Sequence, residues 1–132
     1  MLISITRLRV RSLWFLPGFI FYATRSASQA RNAPGNLGVG LLRDAKNTFW
    51  TKTAWQDEAA LRAFMMAMPH RRAMGKLAEW CDEASVVRWN QETPDLPGWL
   101  EAHRRMIAEG RPSRVRHPSA AHQGLEIPPP QS

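Results

Sequence analysis

The chain opens on a partly alternating segment rich in β-branched residues, Leu2-Ile3-Ser4-Ile5-Thr6-Arg7-Leu8-Arg9-Val10, which predicts a first strand. The period then lengthens. Ser12 can cap a helix running to about Ala30, with Leu13, Leu16, Ile20, Ala23, Ala27 and Ala30 on one stripe and Pro17 tolerated near its first turn. The turn-forming run Asn32-Ala33-Pro34-Gly35-Asn36 leads into Leu37-Gly38-Val39-Gly40-Leu41-Leu42-Arg43, a strand weakened by glycine. After the polar loop Asp44-Ala45-Lys46-Asn47 comes Thr48-Phe49-Trp50-Thr51-Lys52-Thr53-Ala54-Trp55, so the two runs predict a hairpin.

Gln56-Asp57-Glu58 supplies a cap and an acidic first turn for a helix through Met68, whose Leu61, Phe64, Met65 and Met68 repeat at helical spacing. Pro69 ends it. A second helical piece from His70 to about Trp80 repeats His70, Ala73, Met74 and Leu77 on one side, which predicts an inward-facing His70. A fourth strand is expected at Ala84–Asn90, a short helix at Gly98–Glu109 ended by Gly110, and a disordered Pro-rich tail over 111–132.

Strand, helix, strand, strand, helix, strand is the split βαβ order of ferredoxin-like α+β domains: a four-stranded antiparallel sheet with helices on one face. Residues 1–110 form that domain. Large aromatic side chains on both faces of the third strand ask for cover on both sides, and sheet-to-sheet pairing in a homodimer would provide it.

Charge and cysteine content narrow the function. The chain has 132 residues and a formal net charge of +7, with seven Lys or Arg against one Asp in residues 1–50. The basic excess carries no helix-turn-helix, aromatic RNA-binding signature or GxxG clamp, so no specific nucleic-acid partner is expected. Cys81 is the one cysteine, which excludes an intramolecular disulfide and a thiolate metal cluster and fits a reducing, cytoplasmic compartment. Its acidic neighbours Asp82 and Glu83 make it a poor nucleophile. Arg7, Arg9 and Arg11 ahead of the apolar run from Leu13 to Ala23 imitate a secretory leader, but the run is interrupted by Pro17-Gly18 and is about half the ~20 residues a membrane span needs, so no membrane span is expected. GxSxG, Walker, GxGxxG and HExxH motifs do not occur.

The stretch from Phe49 to Phe64, followed by His70-Arg71-Arg72-Ala73-Met74, resembles the antibiotic biosynthesis monooxygenase-like branch of the dimeric α/β-barrel superfamily, near spheroidene-monooxygenase-like and functionally unassigned small proteins. Ile5-Thr6-Arg7-Leu8-Arg9, Phe15-Leu16-Pro17 and Gly35-Asn36-Leu37-Gly38 are similar to the same group, and the resemblance covers about residues 1–92. It implies a dimeric α/β barrel. It also implies one of several chemistries, among them cofactor-free quinone-forming oxygenation and haem-dependent oxygenation or degradation. Haem-degrading relatives place a histidine ligand where this chain has His70; they also carry a helix tryptophan where it has Phe64 and a first-strand asparagine where it offers Ser4 or Thr6.

His70 is the leading catalytic candidate, since a neutral imidazole can move a proton near neutral pH or ligate haem iron. Trp50, Trp55 and Trp89 read as an aromatic wall for a polycyclic ligand, lined further by Phe64 and Met74. Arg25, Gln29 and Arg43, with Arg88, could hold ligand carbonyls or carboxylates at its mouth. The expectation is a small monooxygenase-like homodimer binding a hydrophobic aromatic ligand without a separate cofactor. The alternatives are a haem protein with His70 as axial ligand, and a noncatalytic binding dimer.

Overall fold

The structure is a computed structural model; it describes residues 1–67, 70–113, 115, 117–119, 121–122 and 124–130, and of residues 70–74 the backbone alone. The elements run β1 (Leu2–Val10), a 3₁₀ turn (Leu13–Phe15), α1 (Leu16–Asn32), β2 (Asn36–Asp44), β3 (Thr48–Trp55), α2 (Glu58–Met66), α3 (His70–Trp80), β4 (Cys81–Asn90), α4 (Trp99–Glu109) and β5 (Arg111–Pro112). They build one antiparallel sheet in the order β2-β3-β1-β4-β5. The α+β, ferredoxin-like arrangement expected from the sequence is present, with β1 central and a two-residue fifth strand added at the β4 edge.

Local chemistry sets the element ends. Asp57 accepts a hydrogen bond from the Ala60 amide at 2.8 Å and caps α2. Ser12 caps the 3₁₀ turn, not α1 itself, accepting from Trp14 N at 3.2 Å. That tighter turn shifts the phase of α1 relative to the sequence pattern. The buried stripe of α1 is Leu16, Phe19, Ala27 and Ala30, whereas Leu13 and Ile20, expected on the inward stripe, are 70% and 41% exposed. β4 starts at Cys81, three residues before the expected Ala84, because Arg7 and Arg9 on β1 hold the carboxylate of Glu83 at 2.8 and 2.7 Å. Glu83 therefore lies in the sheet.

Register assigns the two faces. Leu2, Ser4, Thr6 and Leu8 of β1 face α1, α2 and α3 together with Trp55, Thr53, Thr51 and Phe49 of β3. Ile3 and Ile5 lie on the opposite face with Trp50, Ala54 and Val87, and there they pack against Ala102 and Met106 of α4 and against Ile127. The sequence predicts helices on one face only; α4 covers the other. The burial that pairing of two sheets would provide is thus supplied within one chain. Beyond Gly110, where low apolar content predicts a disordered tail, His122 and Ile127 are buried against the sheet, since each meets a backbone or apolar partner already on that face.

Gly35 ends the α1–β2 connection at φ +85°, and a Cβ there would sit 2.5 Å from Ala60 Cβ. We expect Gly35→Ala to lower unfolding free energy by about 2 kcal/mol through combined backbone and packing strain, measurable by urea denaturation.

Candidate functional site

On the helix-facing side of the sheet, two apolar clusters flank a polar band. At one end Trp55 packs with Leu2, Ala30, Leu61 and Phe64; at the other Val10, Leu16, Phe19 and Cys81 pack together. Between them lie Ser4 and Thr53, both buried, and Thr6 and Thr51, half-buried, aligned across β1 and β3. Thr53 Oγ1 donates to the Ser4 carbonyl at 3.4 Å.

The C-terminal end of α2 spans this face. Gln29 of α1 donates to the Phe64 carbonyl at 3.5 Å, and Arg88 of β4 donates to Met65 Sδ at 3.3 Å. Arg88 is held below its ordinary pKa, first by desolvation and then by the charge of Arg111, with Glu58 acting in the opposite direction. It keeps its positive charge at pH 7 regardless, because an arginine starts from a pKa of about 12 or more. Trp55 stacks on Phe64 with ring centroids 5.1 Å apart. The Trp55 indole N–H is fully buried with no hydrogen-bond acceptor among the described residues. Asn36, opposite Trp55 in the β2–β3 register, likewise has a buried Nδ2 without a partner. A buried donor left unpaired costs about 1–3 kcal/mol, so these two, on residues paired across β2 and β3, are donors that an oxygen acceptor would satisfy.

The structure brings together some of the expected site residues and separates others. Gln29, Trp55 and Phe64 converge, joined by Arg88 and Met65. Trp50 and Trp89 lie on the α4 side, where Trp50 Nε1 donates to Asp44 at 3.2 Å and Arg105 stacks over Trp89 at 4.5 Å. One continuous wall of three tryptophans is therefore not formed. Arg25 points outward over the Phe21 ring at 5.4 Å, and Arg43 lies at the other end of β2 over Phe49 at 5.7 Å. The side chains of His70 and Met74 lie outside the described residues; the backbone places His70 at the first position of α3, following the end of α2 that carries Phe64 and Met65. The sequence pattern does not single out Asn36, Ser4, Thr6, Thr51 or Thr53 as ligand contacts. Strand parity with Trp55 is the signal that puts the β3 threonines on its face.

Two other histidines, His122 and His103, serve the α4 side, while His117 lies 3.7 Å from Glu79 of α3. His122, expected in solvent, accepts from the Ala84 amide through Nδ1 at 3.4 Å, and its Nε2 faces the Ser113 carbonyl at 2.9 Å, an arrangement that takes the Nε2–H tautomer. His103 Nε2 meets the Ile127 carbonyl at 2.8 Å. The Cys81 thiol is pushed up to about 12 by burial and by the neighbouring Asp82, so it is not a nucleophile at neutral pH. Among the described residues, no group of three or more His, Cys, Asp or Glu could hold a metal ion, and no helix is long and apolar enough to cross a membrane.

Fold and site together describe a small α+β protein with a mixed polar and aromatic strip under three helices. The sequence matches the antibiotic biosynthesis monooxygenase family over residues 1–76, and the chain belongs to that family. Solved structures with the same fold include an antibiotic biosynthesis monooxygenase at 19% identity, which aligns over 70% of this chain and 100% of its own with a TM-score of 0.63. SnoaB, a cofactor-independent oxygenase of Streptomyces nogalater, aligns at 20% identity over 74% of this chain and 97% of its own, with a TM-score of 0.55. Rv0793 of Mycobacterium tuberculosis aligns at 12% identity over 70% and 95%, with a TM-score of 0.63. No curated protein sequence matches the chain.

Proposed function

We propose that this protein binds a flat, oxygen-bearing aromatic molecule at the C-terminal end of α2 and oxygenates it without a separate cofactor. The observation that carries the reading is the buried, unpartnered indole N–H of Trp55, stacked on Phe64 and beside the unpartnered Asn36. Membership of the monooxygenase family supports it, as does the shared fold with SnoaB, described as a cofactor-independent oxygenase.

In such chemistry an electron-rich phenolate reduces O2 itself. A ring CH2 becomes a carbonyl, one atom of O2 enters that carbonyl and the other leaves as water, so the substrate supplies all four electrons. The protein contributes a dry, oriented site and charge placed where the oxyanion develops. Trp55 Nε1 and Asn36 Nδ2 would donate to substrate oxygen, and the Arg88 guanidinium would offset its negative charge from the rim. His70 is assigned the proton transfer, on its chemistry and its backbone position at the α2–α3 junction.

The test is oxygen uptake with anthrone as the probe, comparing wild type, Trp55→Phe and His70→Ala. We expect one O2 consumed per quinone formed, and kcat/KM lowered about tenfold or more in Trp55→Phe as the buried donor is lost. Trp55→Phe should unfold within about 2 kcal/mol of wild type, because removing an unpaired donor offsets part of the lost packing. Absence of uptake above the buffer rate, or full activity in Trp55→Phe, would overturn the proposal.

A further inference from the structure

The outer face of α1 and its leading turn is apolar where a surface helix should be polar. Leu13, Trp14, Pro17, Ile20 and Phe21 recur at spacings of three and four on one side, opposite the buried Leu16, Phe19, Ala27 and Ala30. Trp14 is 85% exposed and Phe21 54%. A helix apolar on both sides needs cover on both sides, and a contiguous exposed patch of this kind marks an interaction surface.

Charge selects the partner. Arg25 lies over the Phe21 ring at 5.4 Å, and Lys76 of α3 lies 5.9 Å from the neighbouring Tyr22 ring. Neither has an ion-pair partner among the described residues. Residues 1–43 contain no Asp or Glu at all. Arg11, at the start of the turn, pairs with Glu79 at 3.6 Å and stacks over Phe15 at 4.6 Å. The patch is therefore a hydrophobic ridge with a cationic rim, on a molecule of net charge +7.

From this we infer that the Leu13–Phe21 face docks on an anionic lipid surface, with Trp14 and Leu13 entering the headgroup boundary and Arg25 and Lys76 meeting lipid phosphates. Tryptophan suits that boundary because its ring is apolar while its N–H stays hydrated, and basic side chains reach back to headgroups from the same depth. A two-fold contact with a second copy would instead set the cationic rim of one chain against that of the other, which disfavours self-association through this face. The Arg-rich segment followed by a short apolar run, which imitates a secretory leader in sequence, then has a role within the folded protein. It holds a folded domain on a membrane surface without spanning it.

The test is co-sedimentation with phosphatidylcholine vesicles and with vesicles containing about a third phosphatidylglycerol, at two salt concentrations. Wild type should bind the anionic vesicles, lose binding as salt rises, and bind neutral vesicles about tenfold more weakly or less. Leu13→Ser/Trp14→Ser should weaken binding to anionic vesicles about tenfold or more, and Arg25→Gln/Lys76→Gln about fivefold or more. All four residues are exposed, and circular dichroism with thermal melting checks that the variants fold. Quenching of tryptophan fluorescence by brominated lipid should be strong in wild type and reduced in Trp14→Ser. Failure to bind anionic vesicles, or equal binding by folded Leu13→Ser/Trp14→Ser, overturns the inference. A wild-type dimer by light scattering that becomes monomeric in Trp14→Ser also overturns it, in favour of a second copy on this face.

Discussion

Glu83→Ala is expected to lower unfolding free energy by about 3–5 kcal/mol, the usual consequence of stranding a buried charge. The guanidinium left behind is that of Arg7, whose side chain is 5% exposed and whose Nη1 donates to Glu83 Oε1 at 2.8 Å. Arg9 and Ser119 complete the carboxylate's shell at 2.7 and 3.1 Å. Arg7 Nε has no hydrogen-bond partner among the described residues even with Glu83 in place, so that guanidinium is already under-supplied with acceptors before the carboxylate is removed. The pH response comes from the same contacts. Desolvation alone would raise the Glu83 pKa, but the hydrogen bond and charge of Arg7, with the hydrogen bonds of Arg9 and Ser119, bring it below the ordinary value of 4.5. A carboxylate depressed in the folded state contributes stability that is fully present above its unfolded pKa and is lost as pH falls through the depressed folded value. Wild-type stability should therefore drop with acidification below about pH 4.5, and Glu83→Ala should show a flatter acid limb. Urea denaturation of both proteins from pH 7 to pH 3 measures this, and an equally steep limb in the variant would refute it.

Removing residues 96–132 should have an effect as large or larger. The deletion uncovers Ile3, Ile5, Trp50, Ala54 and Val87, all nearly or fully buried under α4 and the segment after it. The larger of these side chains are each worth about 1.5–3 kcal/mol when buried. A chain ending at Asp95 is expected to lose its cooperative melt or to associate through the bared face, as read by calorimetry and by light scattering. A truncated chain that stays monomeric and melts near the full-length temperature would show that α4 contributes little.

How much of the fold is legible in the sequence depends on the range of the interactions involved. The β2–β3 hairpin and the Asp57 cap depend on residues within a few positions of one another, and both appear where local pattern puts them, whereas α2 ends at Met66, short of the expected Met68, and Pro69 lies outside the described residues. The start of β4 is not legible in the same way. Asp82 and Glu83 look like a turn until Arg7 and Arg9, more than seventy residues earlier, are placed beside them. The cover on the second sheet face depends on a few dispersed residues, Ala102, Met106 and Ile127, in a region otherwise too polar to suggest packing. The separation of Trp50 from Trp55 is available in principle. Five positions apart on one strand, they must face opposite ways. The unpaired indole N–H of Trp55 is beyond any sequence pattern, since it reflects what does not surround that atom.

The central strand has a bearing on how this protein can diversify. β1 commits its even positions to the helix layer and its odd positions to α4 and the Glu83 pair, and six of its nine residues are buried. A one-residue slip would exchange isoleucines for serine and threonine on one side and drive two arginines into the other. Random change is thus tolerated least in the first ten residues. Variation between descendants should collect on the outer faces of α2 and α4, leaving the strand as the part of the chain by which distant relatives remain recognisable.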